Sequence, residues 1–148
     1  MWARNKYTLF YASLLFIGAW AALLGFALFS NNTAYRTLVS NGHQYSLQVA
    51  DSDASRQKGL SGVGSLAANK GMVFVYPREE SLCFWMKEMH FSLDMVWLNA
   101  RLQITHIEAD VQPSSYPQSF CAQGQYVIEL NAGQARAARI APWQTLRF

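Results

Sequence analysis

Twenty-one consecutive residues, Leu9 to Phe29, carry no charge and are rich in Leu, Ala and Phe. A helix rising 1.5 Å per residue over that length reaches about the 30 Å of a bilayer core, so the stretch is expected to be a single transmembrane helix. Arg4 and Lys6 precede it, and no charge follows between Ser30 and Tyr35. The positive-inside rule therefore puts the N-terminus in the cytoplasm and the rest outside, in the periplasm or extracellular space. The competing reading is a cleaved signal peptide, but secretory apolar regions run to about 15 residues and no small-x-small cleavage site follows. Gly18 and Gly25 are seven apart rather than four, so the close-packing dimer motif is missing. The expected division is a cytoplasmic tip at 1–8, a transmembrane helix at 9–29, a spacer at 30–34 and an extracytoplasmic domain at 35–148.

The net charge of +3 owes two units to Arg4 and Lys6, and the exported part is close to neutral. No clustered basic face remains, which argues against a nucleic-acid partner. Cys83 and Cys121 are the two cysteines. On the outer side of a membrane they could form a disulfide, stabilising the fold by roughly 4 kcal/mol in the chain-entropy view, or stay as two buried thiols.

After the spacer, Tyr35–Ser40 and Gln44–Ala50 flank Asn41-Gly42, the strongest short hairpin signal. Asp51 or Asp53 can cap a short helix through Lys58, which Gly59 ends. Met72–Tyr76 is apolar on both faces, as in a central strand, and Pro77–Ser81 reads as a polar turn. Leu82–Asn99 reads as two strands with a bend near His90: Phe84 and Met86 fall on one face, Cys83, Trp85 and Lys87 on the other. Leu102–Ala109 is a further strand. Val111–Gln125, with two prolines and several serines, reads as a long surface loop of the kind that carries function. Tyr126–Asn131 is a strand, Gln134–Ile140 one or two helical turns, and Trp143–Phe148 a closing strand after Pro142. About seven short strands and two short helices predict a mainly β domain, a sandwich or partly closed barrel.

The chemistry-bearing candidates are Arg56, Lys87, Asp94 and Glu129, ionisable residues set in apolar stretches. They could form buried ion pairs that fix the sheet register, or Asp94 and Glu129 could act as the acid and base of a hydrolase. His90 and Asp94 would share a face only in a helix, and His43, His90 and His106 are scattered without zinc-ligand spacing, so no metal is expected. A Cys83 nucleophile with His90 or His106 lacks an orienting residue. No Gly-x-Ser-x-Gly, phosphate-binding loop or dinucleotide motif occurs, and no cofactor is expected. Trp85, Trp97, Trp143, Phe84 and Tyr116 could serve as stacking platforms or simply as core.

Five short segments and Leu66 together carry a resemblance: Arg56-x-x-Gly59-Leu60, Gly71-Met72-x-Phe74-Val75, Phe84-Trp85-Met86-Lys87, Leu93-Asp94-Met95 and Tyr126-Val127-x-Glu129-Leu130-x-Ala132-Gly133. In order and spacing, over Val49 to Phe148, the chain resembles the Domain of Unknown Function 192 family. The resemblance implies a single compact, mostly β domain, often exported or lipid-tethered, and it does not point to any particular activity. The chain departs from the family pattern at Glu88 and Ser92, around Val63, and at Arg139–Trp143.

The expected function is a membrane-anchored module of the cell envelope. It would bind a small ligand or an envelope protein in a cleft between the Lys87–Asp94 bend and the Val111–Gln125 loop, using Arg56, Trp85, Lys87, Asp94, Tyr116 and Glu129. The alternative is the Asp94/Glu129 hydrolase.

Overall fold

The computed structural model describes residues 33–148. The expected membrane span at 9–29 lies outside them, and no helix among the described residues is long and apolar enough to cross a bilayer. Six strands, β1 (Tyr35–Ser40), β2 (His43–Ala50), β3 (Lys70–Trp85), β4 (Leu93–Leu98), β5 (Ile104–Val111) and β6 (Ser119–Asn131), form one sheet in the order β1-β2-β3-β6-β4-β5. Among the described residues two short α-helices, α1 (Asp53–Lys58) and α2 (Gln134–Ala137), accompany it. The domain is mainly β, as the strand pattern predicts, but β1 and β5 are outer strands that do not meet. A single open sheet thus stands where a sandwich or partly closed barrel is expected from the strand pattern.

The hairpin signal is realised: Asn41 and Gly42 take φ of 47° and 78°, and Ser40 pairs directly with His43. The β2–β3 pair is parallel, so the chain between them must cross over, and α1 lies in that crossover. Its cap is Ser52 rather than either aspartate: Ser52 Oγ accepts from the Ser55 N–H at 3.2 Å, and Ser55 Oγ accepts from the Ser52 N–H at 3.0 Å. The two serines satisfy each other's backbone donors, a reciprocal box that leaves Asp53 free to meet Arg56.

The polar turn expected at Pro77–Ser81 is instead an irregularity within β3, where the register against β6 shifts between Val75 and Glu80. Proline has no N–H to lose in such a bulge, so the strand survives it. Beyond the shift, Glu80–Trp85 pairs with Ser119–Gly124, and the latter half of the predicted Val111–Gln125 loop, from Ser119 on, becomes the first half of β6. Phe120 and Ala122 pack on the same apolar cluster as Leu82 and Phe84, which is what holds that serine-containing segment in the sheet. The closing strand at Trp143–Phe148 reduces to a single bridge, Gln103 to Thr145, flanked by Ile104 N–H to Gln144 O at 2.9 Å and Leu146 N–H to Leu102 O at 3.0 Å.

The strand alternation sorts the core into two layers. On one face, Leu47, Val73, Val96, Ile128 and Leu130 are covered by Ala135, Ala138, Ile140 and Leu146 of the C-terminal segment. On the other, Met72, Phe74, Met95, Trp97 and Val127 pack with Leu60 after α1 and with Leu82, Phe84, Met86 and Met89. All six residues of β4 are buried. Gly71 has no room for a side chain: a Cβ would lie 2.6 Å from the Glu129 carbonyl oxygen and 2.7 Å from Leu47 Cδ2 and Leu130 Cδ2. Its close approach lets β2, β3 and β6 stack their side chains at that level.

Candidate functional site

Glu129 belongs to the second layer. It pairs with Met72 on one side and Met95 on the other, so its side chain projects from the same face as theirs. It is 4 % exposed. Among the described residues no side chain forms an ion pair with it and no group hydrogen-bonds its carboxylate. Burial alone pushes its pKa from 4.5 to about 8. Among the described residues no buried side-chain oxygen is left unpaired, so the Glu129 oxygens meet the groove, where water or a ligand can bond them, and the burial of the rest of the side chain favours the protonated form.

That carboxyl lies in the wall of a groove of about 410 Å³ between α1 and the distal half of β3. Phe74, Tyr76, Phe84 and Trp85 supply aromatic lining, Met89 and Leu60 apolar lining, and Arg56 the α1 side. The volume falls in the range of small-molecule sites. Phe84 meets Phe74 and Trp97 edge-on, with ring centroids at 4.8 and 5.9 Å, so this wall is rigidly packed behind its surface. Trp97 is fixed in turn by its indole N–H, which donates to the Leu82 carbonyl at 3.0 Å. Trp85 stands at the rim, 55 % exposed. Burial raises the Tyr76 pKa; Arg56 opposes that rise, while Glu80 and Glu129 add to it. Tyr76 is therefore within electrostatic reach of Glu129.

Arg56 is held by groups other than Glu129. Its guanidinium donates to the Val75 carbonyl at 2.7 Å, to the Asp51 carbonyl and to the Asp53 carboxylate, and it lies 5.0 Å over the Tyr76 ring. These bonds tie α1 to β3 and occupy the cation.

The structure thus brings Arg56, Trp85 and Glu129 into one groove and leaves the other candidates outside it. Lys87 is exposed and makes no ion pair among the described residues; only its backbone carbonyl is used, by Ser61 Oγ at 3.0 Å. Tyr116 is exposed beside the short 3₁₀ turn Pro113–Ser115 and lines neither this groove nor the smaller cavity beside Asp94. Asp94 is opposite Leu130 in the ladder, one position from Glu129's partner, and therefore projects from the opposite face. There its two oxygens accept the Asp110 N–H at 2.9 Å and the Ala135 N–H at 2.8 Å, anchoring β5 and the start of α2. No Lys87–Asp94 or Arg56–Glu129 ion pair forms, and the sheet separates the two carboxylates of the hydrolase alternative. Phe74, Tyr76 and Met89 were not foreseen as lining; Phe74-x-Tyr76 has the period-two spacing that could have revealed the first two.

Cys83 and Cys121 face each other across β3 and β6, with Cα atoms 4.1 Å apart, and are joined by a disulfide. Cys83 also lines the groove, so the bridge pins the arm that carries Phe84 and Trp85. A Cys83 thiol nucleophile is excluded by this bond. His106 is exposed, 3.2 Å from Glu108, and no group of three metal-binding side chains occurs among the described residues.

No curated protein matches the chain. Among solved structures it is similar to a protein of Sinorhizobium meliloti 1021 described as a "putative transcription regulator", at 24% identity and a TM-score of 0.71, covering 78% of this chain and 94% of that one. It is also similar to a protein of unknown function from Novosphingobium aromaticivorans DSM 12444, at 22% identity and a TM-score of 0.70, covering 78% and 85%. At these identities the likeness concerns the fold. The profile of the family described as DUF192, "Uncharacterized ACR", matches residues 36–148. With the resemblance carried by its motifs thus supported over the whole β domain, the chain belongs to the DUF192 family.

Proposed function

We propose that this domain is a binding module that takes a small ligand into the groove between α1 and the distal half of β3, with Glu129 as the polar anchor. The observation that carries this reading is the Glu129 carboxyl: the residue is 4 % exposed, has no side-chain hydrogen-bond partner among the described residues, and opens its oxygens on a cavity of about 410 Å³. A carboxyl in a cavity wall whose oxygens meet the groove and no protein donor marks a place where a ligand can take over the hydrogen bonds that water would otherwise make. The uncharged stretch from Leu9 to Phe29 supports placing the module at the outer face of the cytoplasmic membrane as an accessory of the cell envelope. A hydrolase working through Asp94 and Glu129 finds no support, because a single substrate cannot touch two carboxyls on opposite faces of one sheet.

The reading is tested by adding a library of small fragments to the isotopically labelled full chain and following its amide resonances. Binding fragments should move signals of Arg56, Tyr76, Trp85 and Glu129 together. Shifts confined to the Asp94 face, or no saturable shift at millimolar fragment, would remove the groove as a binding site.

A further inference from the structure

We propose that the ligand of this groove is a small organic amine, bound by its ammonium group at Glu129 with its apolar part against Phe84 and Trp85. This rests on the groove being a binding site and adds the chemical class. The groove offers both signs of charge, and the two differ in how far protein partners already satisfy them. Arg56 spends three of its five N–H donors on two carbonyls and on Asp53, whose carboxylate also neutralises its charge, so its pull on an anion is weakened. Glu129 is an acceptor to which no group among the described residues donates, with its oxygens open to the groove. The complement of such a group is a donor, and a cationic donor gains most: charge-assisted hydrogen bonds are about twice as strong as neutral ones, and more so away from water. Aromatic faces beside the carboxyl add to the preference, since ring quadrupoles attract ammonium groups.

The charged and titratable groups facing Glu129 are few. Asp53, Arg56 and Lys58 come from α1, and Tyr76 from β3; the residues paired with Glu129, Met72 on β3 and Met95 on β4, are uncharged. Lys58 is exposed to solvent, where its charge is largely screened. Asp53 and Arg56 neutralise each other. The field at the floor of the groove is therefore governed by the protonation of Glu129 itself.

This gives a signature that a neutral ligand would lack. Glu129 holds its proton to about pH 8 when the groove is empty, whereas an alkylamine stays charged through that range. An ammonium needs the carboxylate, so its affinity should fall about tenfold for each pH unit below 8. The probes are 2-phenylethylamine and its neutral counterpart 2-phenylethanol, titrated into the full chain at pH 6, 7, 8 and 9 and read by calorimetry and by the Trp85 and Tyr76 resonances. The amine should bind at least tenfold more tightly at pH 8 than at pH 6, and more tightly than the alcohol at pH 9. Glu129→Gln should lose at least tenfold in amine affinity at pH 9 and all of its pH dependence. If both probes move the groove resonances equally at every pH, the groove binds ligands but the amine assignment is overturned. If neither moves them, the amine assignment falls together with the reading of the groove as a ligand site. The wild-type pH series stands even if the Glu129→Gln protein fails to fold.

Discussion

Asp94 and Glu129 are buried acids on neighbouring strands, one ladder position out of step, and the sheet treats them in opposite ways. Asp94, 1 % exposed, receives two backbone N–H groups from different segments, Asp110 and Ala135, and so joins β4 to β5 and to α2. Glu129, 4 % exposed, receives none among the described residues and faces a cavity. The difference teaches that burial alone does not make an acid functional. A carboxylate whose acceptors are used up by backbone donors is a structural fastener; one that has kept its acceptors unused against an opening is available for chemistry or binding.

The largest effect that can break this contrast is the pH dependence of stability. Glu129 titrates at about 8 in the folded chain against 4.5 for an ordinary glutamate. Between those values the unfolded chain has released the proton and the folded chain has kept it, so stability is fully present below pH 4.5 and is lost as pH rises through 8. The full shift corresponds to roughly 4–5 kcal/mol. Denaturant unfolding at pH 5 and pH 9 should show a loss of that order for the wild type and a much smaller one for Glu129→Gln. A wild type equally stable at both values would mean that the carboxyl has found a partner.

Next in size is the disulfide. Its residues are 38 apart in sequence, and reduction should cost roughly 4 kcal/mol in the chain-entropy view. Because the bridge lies in the arm that walls the groove, hydrogen exchange after reduction should quicken first at Leu82 and Phe84 and leave the Ala135 amide on the Asp94 face protected. Uniform loss of protection would show that the two faces are not independent.

Asp94→Ala should cost about 2–4 kcal/mol, since it strands the Asp110 and Ala135 N–H groups. Thermal melts would register it, and ligand binding in the groove should be unchanged for the fraction that is folded. The smallest effect is expected from Trp85→Ala. With half of its surface already in water, the change should alter stability by less than about 1 kcal/mol, while weakening binding of an aromatic amine.

Local chemistry explains which parts of this fold were legible in the sequence. Asn41-Gly42 announces a turn because its backbone needs two positive φ values. The alternation of Leu82, Phe84 and Met86 against Cys83, Trp85 and Lys87 matches their burial because side chains on a strand must alternate. What was not legible depends on which strands are neighbours. Period two shows that Val127 and Glu129 share a face, but only the pairing of Leu130 with Asp94 and of Glu129 with Met95 shows that the two acids part company. The same gap hid the arm at Ser119–Gly124, whose serine and glycine content reads as loop until Glu80–Trp85 is laid beside it. Proline at position 77 signals a break, yet the sheet absorbs it where the register shifts.

The most direct test of the whole account is the titration of the Glu129 side-chain carboxyl followed by carbon NMR in the unliganded full chain. A midpoint near 8, moving down when 2-phenylethylamine is present, is the result expected of a buried acid awaiting a cationic partner. A midpoint between 4 and 5, unmoved by the amine, would show a carboxylate already satisfied and would leave the groove without its anchor.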